Sequence, residues 1–122
     1  MWLSRKLNKS GSVPSAEKGE VTLSSPENWE AFATQKVRNI ICYSPYGFCS
    51  LSPAGEEVLL LPASGTTAAL GTKSNPKGLE AGEVKIFSKG GASIELKNDG
   101  TIVLNGTVKI DRRGHITGWQ AN

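Results

Sequence analysis

Beyond residue 79 the apolar positions of the chain fall into step: Val84, Ile86, Ile94, Leu96, Ile102, Leu104, Val108, Ile110 and Ile116 are aliphatic and all even-numbered. A period of two puts every one of them on the same face of an extended strand. Lys85, Lys89, Glu95, Lys97, Lys109 and Asp111 fall on odd positions and face the other way. Between the apolar pairs stand Gly90-Gly91, Asn98-Asp99-Gly100, Asn105-Gly106 and Gly114. Asn-Gly and Asp-Gly supply the positive φ angles of tight hairpin turns, so Gly91, Gly100, Gly106 and Gly114 are expected to set the turns. The pattern predicts a ladder of short strands across residues 80–122.

Residues 1–79 read differently. Apolar and β-branched runs predict strands over 37–43, 57–61 and 66–70, and residues 3–7 offer a further strand at the start. Residues 10–18 are small, polar and interrupted by Pro14, the composition of a flexible loop. One short helix is expected over 26–34: Ser25 as N-cap, Pro26 at the first helical position, Glu27 in the first turn, then Trp29, Phe32 and Ala33 at helical spacing. Trp29 and Phe32 are assigned to the core. Residues 44–47 and 75–78 read as turns, the second marking the boundary with the ladder.

The ladder is thin. Each strand is expected to bring only two or three inward aliphatics, and a lone meander of that kind leaves its other face and its edges in water. Two arrangements complete it. Three identical chains could intertwine so that the aliphatic faces meet on a common axis and the edges pair between chains. Alternatively, the N-terminal half could cover the face in an ordinary β-sandwich or meander, and the parity of the apolar positions fits both.

Composition narrows the field. With 38% hydrophobic residues, 7% aromatics and 14 glycines in 122 positions, the chain can build one small domain and an extension, but not two full-sized domains. Fourteen basic residues against 11 acidic give a net charge of +3, and the basic residues are scattered, with Arg5-Lys6 and Arg112-Arg113 as adjacent pairs. No nucleic-acid-binding stripe results, and Trp2, Trp29, Tyr43 and Tyr46 are not interleaved with basic residues as a stacking platform requires. The N-terminus lacks the apolar stretch of a signal peptide and the run 58–61 is too short to span a bilayer, so a soluble protein made in the cytoplasm is expected. Cys42 and Cys49 match no zinc spacing and are read as packing residues or free thiols.

Catalytic chemistry finds little footing. His115 is the single histidine, which leaves a serine or cysteine nucleophile without an evident base. Glu56 and Glu57 would point to opposite faces of a strand, and Glu80 and Glu83 read as solvated carboxylates. Gly90-Gly91 lacks the strand-to-helix context of a phosphate loop. A protein without enzymatic activity or cofactor is expected.

Two stretches carry a family resemblance: Tyr43-Ser-Pro-Tyr46-Gly-Phe48 followed by Pro53-Ala-Gly55-Glu-Glu57-Val-Leu-Leu-Leu-Pro62, and Gly78-Leu-Glu-Ala-Gly82-Glu83-Val84-Lys-Ile86 followed by Gly91-Ala-Ser-Ile94-Glu-Leu96-Lys-Asn98-Asp99-Gly100. With Val108-Lys-Ile110-Asp111 and Gly114-His-Ile116-Thr-Gly118, this order resembles the Mu-like phage baseplate assembly proteins over residues 37–118. The resemblance implies an all-β chain: an N-terminal barrel of the oligonucleotide/oligosaccharide-binding (OB) type in residues 1–79, then an intertwined trimeric β-helix in residues 80–122. It further implies a homotrimeric central spike of the virion baseplate that docks on hub and tail-tube proteins, meets the host envelope transiently, and binds no nucleic acid. The short needle leaves room for a separate tip protein. Related spikes end in a His-X-His pair that holds an axial metal ion; here only His115 is present, so an axial site would rest on three copies of that one residue. The competing reading is a binding module in which Tyr43, Tyr46 and Phe48 hold a glycan or single-stranded nucleic acid.

Overall fold

The computed structural model describes residues 13–119, which contain eleven β-strands and no helix. The chain is all-β, and it divides into two compact units between Ser74 and Asn75. The expected strand at 3–7, the start of the expected loop at 10–18, and Trp2 lie outside the described residues.

The first unit holds β1 (Glu17–Ser25), β2 (Asn28–Phe32), β3 (Lys36–Val37), β4 (Ile41–Cys42), β5 (Glu57–Ala63) and β6 (Thr66–Thr72) in one sheet of order β3-β2-β1-β5-β6-β4. β3 and β4 stand at opposite ends of that order, yet only three residues separate them in the chain. Four Cα–Cα steps reach at most about 14 Å. The two edges of the sheet must therefore lie side by side, and the sheet closes on itself. The bend comes at Asn39, which has a φ of 54°. Before it Val37 pairs with Ala31; after it Ile40 N–H donates to the Trp29 carbonyl at 3.2 Å, and Ile41 and Cys42 pair in parallel with Ala68 and Ala69. The strand expected over 37–43 is thus two short pieces that border different neighbours.

Inward-facing side chains fill the closed sheet: Val13, Val21, Trp29, Ala31, Val37, Ile40, Val58, Leu60 and Ala69 form one buried cluster. Close packing shows at Gly19, where an added Cβ would come within 2.8 Å of Leu60 Cδ1. Two irregularities in pairing, between Val21 and Leu23 on β1 and between Val58 and Leu60 on β5, bend the strands as bulges do.

Three expectations are corrected in this unit. The segment expected to be a helix over 26–34 is a hairpin. The Ser25 hydroxyl accepts from Asn28 N–H at 3.1 Å, which is the bond an N-cap makes, but here it closes a turn whose arms are β1 and β2. Pro26 suits the second position of such a turn as well as it suits a helix start. Pairing with β1 wins because it buries Trp29 and Ala31 and gives the Trp29 indole N–H two acceptors, Ser24 Oγ at 3.2 Å and the Ser52 carbonyl at 3.3 Å. The second correction follows from the first: with a period of two, Phe32 turns outward and is 55% exposed, so only Trp29 belongs to the core. The third concerns the loop at 10–18. Val13 is buried and its N–H donates to Thr67 Oγ1 at 3.1 Å, while Glu17 and Lys18 already belong to β1.

The second unit is a five-stranded antiparallel meander in the order β11-β10-β9-β8-β7, built from β7 (Val84–Phe87), β8 (Ser93–Leu96), β9 (Ile102–Leu104), β10 (Val108–Ile110) and β11 (Ile116–Thr117). Each strand pairs with the next one in sequence, so the four hydrogen-bonded ladders lie within one chain. Three of the four turns repeat one design. At 88–92, 97–101 and 111–115 the first residue donates its N–H to the carbonyl of the fifth, and a glycine in fourth place donates back to the first. Those glycines, Gly91, Gly100 and Gly114, have φ of 98°, 91° and 91°. A type I turn closed by a left-handed residue is the three-residue hairpin loop. The fourth turn is the two-residue Asn105-Gly106 pair, with φ of 52° and 72°.

Leu60 is fully buried in the first unit. Leu60→Ala is expected to lower the unfolding free energy of that unit by about 2–5 kcal/mol. Urea denaturation followed by Trp29 fluorescence checks the value, and a loss below about 1 kcal/mol would show that the closed sheet is not packed around this side chain.

Candidate functional site: an uncovered aliphatic face

The registers of the second unit align the even-numbered aliphatics across the strands rather than merely on one side of them. Val84 is opposite Leu96, Leu96 opposite Ile102, Ile102 opposite Ile110, and Ile110 opposite Ile116. A parallel row runs Ile86, Ile94, Leu104, Val108. The nine side chains thus form two continuous rows perpendicular to the strands. With about 4.8 Å between strands, the longer row extends roughly 19 Å.

Within a single chain this face is open. Val84, Ile86, Ile94, Leu96 and Ile116 are 43–53% exposed, and Ile102, Leu104, Val108 and Ile110 are half-buried. Monomeric proteins seldom leave a contiguous apolar patch of this kind in water unless something binds there. Of the hydrophobic residues in the second unit only Val103, on the opposite face, is buried among those described. It sits in register between Glu95 and Lys109, whose side chains flank it. One face of the meander is therefore aliphatic and open, and the other carries charged residues together with Phe87, which is 69% exposed.

Polar contacts hold the ladder in shape from its turns. Glu83 is the central one: its carboxylate accepts from Glu80 N–H at 3.1 Å, from Asn98 N–H at 3.2 Å and from Lys97 Nζ at 3.2 Å. Asn98 returns a bond from its side-chain amide to the Ala81 carbonyl at 2.9 Å, so residues 80–83 are stapled to the 97–101 turn. Asp99 accepts from Thr101 N–H at 2.9 Å, and Asp111 accepts from Arg113 N–H and His115 N–H at 2.8 and 2.9 Å. These donors favour the ionised carboxylates. Glu83 is held below the usual range first by the Glu80 and Asn98 amides, Asp99 by Thr101, and Asp111 first by the His115 amide. Lys97 is raised, chiefly by its hydrogen bond to Glu83. Sequence reasoning took Glu83 for a solvated carboxylate; the Glu-x-x-Glu spacing carries no sign that Asn98 would arrive beside it.

Other candidates stay apart. His115 lies on a turn, exposed, with Nδ1 at 3.3 Å from Asp111 Oδ2. No group of three or more His, Cys, Asp or Glu side chains stands close enough to hold a metal ion among the described residues. Tyr43, Tyr46 and Phe48 are all exposed on one loop of the first unit, with Tyr46 fully in solvent. No helix among the described residues is long and apolar enough to cross a membrane.

No family model matches the chain, and no curated protein matches its sequence.

Acid should loosen the turns of the second unit. A carboxylate whose folded pKa is depressed contributes stability that is complete above the unfolded value and is lost as pH falls through the folded one. The raised Lys97 contributes below its unfolded value and is lost only at strongly alkaline pH, so the neutral range is unaffected. The Asn98, Thr101 and His115 amide resonances are expected to titrate with midpoints below the ordinary carboxylate values of about 3.9–4.3. Midpoints at or above those values, read by NMR, would contradict the hydrogen-bonding scheme.

Proposed function

We propose that the chain is the homotrimeric central spike of a phage-type tail baseplate, a structural virion component with no enzymatic role. The observation that carries this reading is the pair of aliphatic rows lying uncovered on one face of the second unit. The face is only two side chains deep along the strands but five strands long. Three such faces turned inward make a slender triangular prism whose axis follows the rows. Each layer then takes one strand from every chain and rises about 4.8 Å above the last. In a three-chain β-helix of this kind the outward residues include Lys85, Phe87, Glu95 and Lys109, and the charged ones among them keep the shaft soluble, with Lys85 Nζ 5.7 Å from the centre of the exposed Phe87 ring.

Taper supports the role of a point. From β7 to β11 the strands are 4, 4, 3, 3 and 2 residues long. The second aliphatic row ends at β10, because the place beside Val108 belongs to Gly118, where a Cβ would overlap the Thr107 carbonyl. Each successive layer therefore has less to surround, and the prism narrows toward its C-terminal end. A rod that narrows in this way concentrates axial force on the envelope it meets, and its stiffness comes from the ladders and the packed axis.

Closure of the first unit supports an OB-type barrel. Counting β3 and β4 as one bent segment gives five segments whose first three form a meander and whose closing contact, β4 with β6, is parallel. That order agrees with a five-stranded Greek-key barrel. In this reading the barrel docks to the hub and tail-tube proteins, and a separate tip protein can cap the narrow end.

The exposed loop carrying Tyr43, Tyr46 and Phe48 favours a second reading, a module that stacks aromatic rings on a glycan or single-stranded nucleic acid. Assembly discriminates between them. Ile94→Asp or Leu104→Asp would crowd three unpaired carboxylates at the axis and should abolish the trimer, whereas Lys85→Asp on the outer face should leave it intact. Sedimentation velocity reads the difference. A stable trimer of Ile94→Asp would overturn the axial packing, and a wild-type monomer with measurable oligonucleotide or glycan affinity would support the module.

A further inference from the structure

Cys42 and Cys49 bracket the aromatic loop, and both are free and exposed. The loop between them is pinched at its base. Ser44 Oγ donates to the Phe48 carbonyl at 2.9 Å, Phe48 N–H donates to the Pro45 carbonyl at 3.0 Å, and Gly47 takes a φ of 91° to complete the turn. Both arms leading away from the pinch are tied to the barrel. Tyr43 N–H donates to the Ala69 carbonyl at 3.0 Å on one side, and the Ser52 carbonyl accepts from Ser24 Oγ at 2.6 Å and from Trp29 Nε1 at 3.3 Å on the other. Cys42 stands two residues before the pinch and Cys49 one residue after it.

We propose that Cys42 and Cys49 form a reversible intrachain disulfide that locks the Tyr43–Phe48 loop once the protein meets an oxidising medium. The thiols also sense one another: Cys42 is raised, first by its partial burial and then by the charge of Cys49. A bond between the sulfurs removes that repulsion. The oxidant is a low-molecular-weight disulfide. One cysteine thiolate attacks a sulfur of the reagent, forming a mixed disulfide and releasing one small thiolate. The second cysteine thiolate then attacks the protein sulfur of that mixed disulfide, releasing the second small thiolate. Two protein thiols are oxidised, one reagent disulfide is reduced to two thiols, and the protons lost by the cysteines pass to the released thiolates.

A closed eight-residue ring holds Tyr43, Tyr46 and Phe48 in fewer conformations than the open loop, because a short cross-link removes chain entropy. Reduced protein would present the aromatics on an adaptable loop during assembly, and oxidised protein would present them fixed. The inference stands on the first unit alone and does not depend on the spike reading.

The test uses the full chain incubated with graded ratios of oxidised to reduced glutathione, then quenched with iodoacetamide. Intact mass should convert from a doubly alkylated species to one lighter than the reduced chain by two hydrogens, running as a single chain on a non-reducing denaturing gel. Cys42→Ser and Cys49→Ser should instead stop at one glutathione adduct each. Chymotryptic cleavage after Tyr46 should slow on oxidation and recover on reduction. Persistence of two alkylatable thiols at every ratio, or cross-linked chains on the gel, would overturn the pairing. Unchanged cleavage of an oxidised chain would overturn the locking.

Discussion

Nine aliphatic side chains of the second unit stand partly in water, and covering them is the constraint that governs what this unit can assemble with. A five-stranded meander satisfies its backbone groups internally, strand by strand, so hydrogen bonding imposes no demand for a partner except at the outer edges of β7 and β11. The demand comes from the side chains. Two rows of Val, Ile and Leu lie in water on one face while the other face buries a single valine beneath charged neighbours. Apolar burial contributes in proportion to area removed from water, and five of these nine side chains still leave 43–53% of their surface exposed. Association through that face is the simplest way to recover it, and the narrowness of the face favours closure around an axis over a flat sandwich.

The first unit solves the same problem alone. Its sheet curls until β3 and β4 meet across the gap between the outer strands, and one bend at Asn39 suffices because both edges belong to a single chain segment. The interior then receives Val21, Val37, Val58, Leu60 and Trp29 without help from another molecule. The two units place opposite demands on assembly: the first can be complete as a monomer, whereas the second leaves its apolar rows uncovered.

How much of this was legible in the sequence depends on whether the signal was local. The even parity from Val84 to Ile116 survived translation into structure because hairpin turns between adjacent strands fix register from the sequence itself, and Asn105-Gly106 and Asp99-Gly100 announce those turns. The 26–34 segment misled because Ser25, Pro26 and Glu27 are equally good at starting a helix and closing a turn; the deciding fact, a waiting partner in β1, is not local. Phe32 followed the same error outward. The division of 37–43 into two strands was invisible for a similar reason, since Asn39 signals a bend only when two different neighbours flank it. The staple made by Glu83, Lys97 and Asn98 joins residues some fifteen positions apart, and no spacing rule anticipates it. The all-β class was within reach of the pattern; the curling of the six-stranded sheet and the polar scaffolding of the turns required coordinates.

Whether the aliphatic rows meet on a threefold axis is read by native mass spectrometry of the unmodified chain across a dilution series, with hydrogen exchange of residues 84–117 measured on each species. A trimer should give a species of three times 12.9 kDa whose strand amides exchange slowly, and that protection should be lost whenever the species dissociates. A monomer that persists at every concentration with those amides fully protected would contradict the threefold packing.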